Sequence, residues 1–165
     1  MKNRRVLLVL SLLALSLGSA HALTIYGDNF DGTTSTITGW KRSSSSYIQK
    51  YTGSFKIGTA SMRVSKNYNA LTYINVAPFK SMVLKFKMAA YSMESGEYLV
   101  CEYQLNSGSW VQGAKLANGS DNGVFRSYSV NIPNANVVAI RFRMVSNSTA
   151  DYGYIDEVEL TGLRK

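Results

Sequence analysis

The chain is poor in the residues on which most enzymes and most small exported proteins depend. Among 165 residues there is one cysteine, Cys101, one histidine, His21, and two prolines, Pro78 and Pro133. A single cysteine forms no internal disulfide, so the core must hold itself together without a covalent staple. The histidine stands in Ala20-His21-Ala22, the small-x-small pattern of a leader cleavage site. Ahead of it, Lys2, Arg4 and Arg5 form a basic segment, and residues 6–17 are an apolar run broken only by Ser11 and Ser16. That run is short of the roughly 20 residues a membrane helix needs. Residues 1–22 therefore read as an export leader that is removed, and residues 23–165 as a single domain.

Loss of His21 with the leader leaves no imidazole. Ser–His and Cys–His nucleophile pairs, His-ligated zinc and the commonest neutral-pH base are excluded. There is no Gly-x-Ser-x-Gly elbow and no phosphate-cradling glycine loop. Glu94 and Glu97 fall in what reads as a turn, and Glu157 and Glu159 lie side by side along one strand. Glycoside hydrolysis requires two carboxylates facing across a cleft, and no arrangement here resembles the paired-glutamate motifs of jelly-roll glycosidases. A protein without catalytic activity is expected.

No second apolar run follows the leader, no cysteine stands just after the cleavage site, and the C-terminal end has no hydrophobic anchor. The expected location is extracellular or periplasmic, without a transmembrane segment. The formal charge of +8 falls by the three basic residues of the leader. What remains is mildly basic, and no nucleic-acid-binding motif accompanies it.

What the chain has in quantity is Gly, Ser, Thr and Asn at short intervals, with runs of period-2 alternation between them, the strand signature. In residues 82–88, Met82, Leu84, Phe86 and Met88 share a face and Lys85 and Lys87 the other. In residues 98–105, Leu99, Cys101, Tyr103 and Leu105 point one way; Tyr98, Val100, Glu102 and Gln104 point the other. Val138, Ile140, Phe142 and Met144 alternate with Ala139, Arg141 and Arg143, and Tyr154, Asp156, Val158 and Leu160 with Glu157 and Glu159. Shorter strands are expected at 24–26, 47–51, 61–65, 71–75 and 125–130, and residues 106–110 read as a hairpin turn. No helical period stands out. About eight or nine strands predict an all-β, antiparallel β-sandwich.

The ends of the chain carry motifs. Gly27-Asp-Asn-Phe-Asp-Gly32 followed by Thr38-Gly-Trp40 resembles the opening of many secreted jelly-roll modules, and Gly153-Tyr-Ile-Asp-Glu-Val-Glu-Leu160 resembles their closing strand. Ser107-Gly-Ser-Trp110 and Ile140-Arg-Phe-Arg143 resemble their hairpin and penultimate strand. The chain is thus similar, over residues 24–162, to bacterial carbohydrate-binding modules and MAM-like domains. That resemblance implies a jelly-roll sandwich and a structural calcium ion, with Asp31 and Asp156 at the matching positions and Asp28 nearby. Asp31 stands where the family has Glu, with a shorter reach, and Glu157 where it has a second Asp. The other reading is that Asp156 accepts hydrogen bonds from turn amides or a lysine.

A sugar-binding face combines aromatic rings with convergent polar groups. The outward residues Tyr98, Glu102, Gln104, Arg141 and Arg143 are the candidate contact surface. Trp40 and Trp110 are both expected to be structural. The outward charges fit a groove for an acidic polysaccharide, or, preferred, a solvated face with cross-strand pairs. The leading expectation is a non-catalytic module that binds extracellular glycan. The other is a structural or adhesive protein, a matrix component or self-assembling subunit acting through protein contacts.

Overall fold

The computed structural model describes residues 21–165; the leader expected at 1–22 lies almost wholly outside the described residues. Among the described residues, eleven strands follow one another with no helix between them. They are β1 (Leu23–Asp28), β2 (Lys41–Arg42), β3 (Ile48–Tyr51), β4 (Ser61–Ser65), β5 (Asn69–Asn75) and β6 (Phe79–Tyr91). After them come β7 (Tyr98–Leu105), β8 (Trp110–Ala117), β9 (Arg126–Ile132), β10 (Val137–Val145) and β11 (Tyr152–Arg164). They form two antiparallel sheets. One, of five strands, has the order β2-β5-β10-β7-β8; the other, of six, runs β3-β4-β11-β6-β9, with β1 also paired to β11. The jelly-roll-type sandwich expected from alternation is therefore the architecture found, with more strands than the eight or nine expected. Part of the surplus is β2, whose two residues are too few to alternate visibly.

Both sheets contribute their inward faces to one apolar core. Met82, Leu84, Phe86 and Met88 of β6 and Val138, Ile140, Phe142 and Met144 of β10 are all buried there, as their alternation predicts. Phe142 is the meeting point. Its ring lies 5.7 Å from Trp40 and 5.1 Å, edge-on, from Phe86 of the opposite sheet. Trp40 is structural, as expected, and its indole N–H donates to Asp28 Oδ2 at 2.9 Å. The β7–β8 hairpin turns through Asn106 and Ser107, both left-handed (φ 48° and 63°), closed by Gly108 N–H donating to the Leu105 carbonyl at 2.8 Å. Two successive left-handed residues match the strand twist.

One alternation breaks. The expected common face of Tyr154, Asp156, Val158 and Leu160 does not exist. Ile155, Val158 and Leu160 lie in the core cluster, and Tyr154 packs on Tyr51 and Phe55 on the outer side. The register of β11 against β6 shifts between Asp156 and Glu159, and Glu157 takes the left-handed conformation (φ 49°). This β-bulge inserts a residue and reverses the phase of everything after it. It also divides the other edge of β11: residues 152–155 pair with β4, and residues 158–162 pair with β1.

Candidate functional site

Period-2 geometry and register place the outward residues of the five-stranded sheet in rows. Tyr73, Ala139, Gln104 and Trp110 lie abreast on β5, β10, β7 and β8; Leu71, Arg141, Glu102 and Gln112 form the next row. Beyond them come Arg143, Val100 and Lys115, then Val145, Tyr98 and Ala117. All five expected contact residues therefore share one face, with Glu102 and Arg141 directly opposite each other.

Their chemistry is a compact network. Glu102 is shared by two arginines: Arg141 Nη2 lies 2.8 Å from Oε2, and Arg143 Nη2 lies 3.2 Å from Oε1. Arg141 also spreads over the Trp110 ring, its Cζ 3.9 Å from the centroid. Lys115 Nζ sits 3.8 Å over Tyr98, and Lys41 Nζ 5.1 Å over the exposed Tyr73. Gln104 is partly diverted, because its side-chain amide donates to the Gly108 carbonyl at 2.6 Å and steadies the hairpin. Trp110, expected to be structural, lies on this face as a half-buried ring beneath the Arg141 guanidinium. It begins an edge strand, where no neighbouring strand covers it. Tyr73 was missed too, although its opposition to Ile74 in β5 marks it as outward.

Burial pushes the Glu102 carboxyl upward, but hydrogen bonding to Arg143 and the charges of Arg141 and Arg143 outweigh it, and the net shift is downward. A carboxylate with a depressed folded pKa stabilises the fold above its unfolded pKa of about 4.3, and that contribution disappears as pH falls through the lower folded value. Thermal melts of wild type and Glu102→Gln should therefore differ by about 1–2 kcal/mol at pH 6, between the worth of an exposed and a buried pair. The gap should shrink as pH falls below the unfolded value of about 4.3. A gap independent of pH would show that the ion pairs do not stabilise the fold.

The three aspartates expected at a metal site do not converge. Asp28 accepts from Phe30 N–H (2.9 Å) and the Trp40 indole, and so serves the core. Among the described residues no group of three His, Cys, Asp or Glu side chains is placed to hold a metal ion. Asp31 and Asp156 do gather round one loop. Asp31 Oδ1 accepts from Thr59 N–H (2.6 Å) and Ala60 N–H (3.0 Å), bonds that lower its pKa; Asp156 accepts from Ile57 N–H (2.7 Å) and Glu157 N–H (2.8 Å). Turn amides thus serve Asp156, as one expectation had it. Burial nevertheless raises Asp156 to about 6, and the charges of Asp31 and Glu157 add to the rise. Asp31 Oδ2 lies 2.3 Å from where a Cβ on Gly58 would fall, so only glycine (φ 69°) fits there. The two carboxylates repel each other, and each already accepts N–H groups of this loop; oxygen ligands of this kind are those a hard cation takes.

The six-stranded sheet carries its own groove, of about 920 Å³, lined by Asn29, Lys85, Lys87, Ser127, Ser129, Glu157 and Glu159 among others. Its charges are answered internally. Lys87 Nζ lies 2.8 Å from Glu157, and Lys85 is in register with Glu159. Its two aromatic residues, Phe86 and Tyr128, stack on each other (5.5 Å, 15°), and Phe86 is buried in the core. The groove thus offers one partly exposed ring, Tyr128, fewer than the five-stranded face presents.

No protein-family model and no curated protein matches the chain. Solved structures do. TmCBM61, in complex with β-1,4-galactotriose, superposes with a TM-score of 0.60 at 13% identity, covering 79% of this chain and 92% of that one. The CBM22-1 xylan-binding domain of Paenibacillus barcinonensis Xyn10C superposes with 0.59 at 10% identity, covering 89% and 99%. The K3 cleaved adhesin domain of Lys-gingipain from Porphyromonas gingivalis gives 0.61 at 10% identity, covering 86% and 99%. The chain thus has the jelly-roll-like sandwich of carbohydrate-binding modules.

Proposed function

We propose that this protein is an exported, non-catalytic module that binds extracellular glycan on the outer face of its five-stranded sheet. The observation that supports this most is the assembly of Trp110, Tyr98 and Tyr73 with the Glu102–Arg141–Arg143 network on one open face. Aromatic surface for pyranose C–H faces and fixed forks for hydroxyls are what sugar recognition needs. The glycans named for the structural neighbours agree with it. A calcium ion held by Asp31 and Asp156 is proposed as a structural tie between the N-terminal segment and β11; when bound it would supply positive charge between two repelling carboxylates.

The test is affinity measurement of the purified protein against a panel of soluble and insoluble polysaccharides. Saturable binding to one glycan class, reduced at least tenfold (about 1.4 kcal/mol) by Trp110→Ala, is expected. Binding untouched by Trp110→Ala and Tyr98→Ala would place the site elsewhere. No binding by folded protein, with sedimentation that rises with concentration, would favour the self-assembling structural role.

A further inference from the structure

The rings of the five-stranded face are not bare. Each of the three carries a cation over its plane: Arg141 on Trp110, Lys115 on Tyr98 and Lys41 on Tyr73. A neutral sugar that stacks on such a ring must displace its cation, at about 0.5–1 kcal/mol for an exposed pair and more for a desolvated one. The charge is also unbalanced. Lys41, Arg141, Arg143 and Lys115 share the face with one carboxylate, Glu102, and both oxygens of Glu102 are engaged by the two arginines. Among the described residues, Lys41 and Lys115 have no carboxylate within ion-pair distance and rest on rings instead. The groove of the other sheet is the contrast within the same molecule, because there lysines alternate with glutamates.

We infer that the glycan bound on this face is anionic, a polysaccharide whose uronate carboxylates or sulfate esters meet Lys115, Lys41 and the outer edges of the arginines, while its ring C–H groups touch the rims of Trp110 and Tyr98. The inference rests on the glycan-binding role proposed above and names the ligand class. An anionic chain uses the ring-bound cations where a neutral chain must remove them. Arginine forks already oriented by Glu102 present their remaining N–H groups to carboxylate or sulfate without further ordering.

Calorimetric titration at about 150 mM salt, where weak long-range attraction is screened beyond about 8 Å, tests it. The probes are an oligogalacturonate, a sulfated galactan fragment and a neutral β-1,4-galactan fragment of equal length. At least one anionic probe should bind tenfold or more tighter than the neutral one, and the stronger of the two identifies uronate or sulfate as the group read. Lys115→Ala should weaken that binding about fivefold, with the melt unchanged. Lys80→Ala, which removes the same charge from an exposed position on the other sheet, should leave it within twofold. Equal loss in both variants would reduce the effect to bulk charge and overturn the inference. Neutral galactan binding as tightly as the anionic probes would also overturn it while leaving the glycan-binding role intact. No binding to any of the three, together with none across the wider panel, would remove both.

Discussion

Phe142→Ala is expected to lower the stability of the fold by about 3–5 kcal/mol, the range for emptying a fully buried aromatic site. Phe142 is 0% exposed on β10, and its ring touches Trp40 of the N-terminal segment and Phe86 of the facing sheet. Truncation removes two aromatic contacts, each worth about 0.5–1.5 kcal/mol beyond buried area. It also leaves a hole bordered by large rings held by their own partners. Trp40 cannot swing in freely, because its indole N–H is tied to Asp28. Urea unfolding measures the loss directly, and Val124→Ala at a 58% exposed position should change it by less than about 0.5 kcal/mol. A cost near 1 kcal/mol for Phe142→Ala would mean that the sheets collapse onto the vacancy and that this contact is not the centre of the core.

The second large effect is expected at Asp156. The residue is 0% exposed, and its carboxylate is the partner of the Ile57 and Glu157 amides. Alanine there leaves two N–H groups without an acceptor, at about 1–3 kcal/mol each. It also removes one of the two carboxylates proposed to hold calcium. Calcium at a hundredfold excess over its dissociation constant stabilises a fold by about 2.7 kcal/mol, which corresponds to a rise of roughly 5–10 °C for a domain of this size. Melting of the wild type in calcium and in excess chelator should differ by that margin, and Asp156→Ala should melt low and respond to neither. Identical wild-type melts in calcium and chelator would remove the ion from the account and leave Asp156 as an acceptor for turn amides alone.

Much of this architecture was legible because inward and outward positions alternate without error through β6, β7 and β10. That alone put Tyr98, Glu102, Gln104, Arg141 and Arg143 on outer faces. The adjacency of Glu102 to Arg141 was not in the pattern. It depends on a pairing across 39 residues of chain, decided by which strands fit together in the core. Where alternation failed, at Asp156, the cause was a single left-handed residue, Glu157; glutamate gives no warning of a bulge, as glycine would. The outward placement of Trp110 was not legible because a tryptophan beginning a strand after a hairpin turn can face either way, and the register of β8 against β7 settles it. Asp28 and Asp31, three residues apart, looked like one acidic set. The turn between them, with Phe30 left-handed and buried, sends one carboxylate to Trp40 and the other to Thr59.

The pairing of β1 with β11 has a mechanical consequence. Leu23 lies opposite Gly162, so the first strand enters where the last one leaves, and the two run antiparallel from that shared end. Tension applied between Leu23 and Arg164 acts across this ladder at its open end and peels the strands apart one rung after another, instead of loading all the rungs in parallel. Held between two anchors at these points, the sandwich would yield at low force, starting with β1. Pulled from a ligand on the five-stranded face against a single anchor at Arg164, it would pass the load from β11 into β6 and leave that seam unloaded.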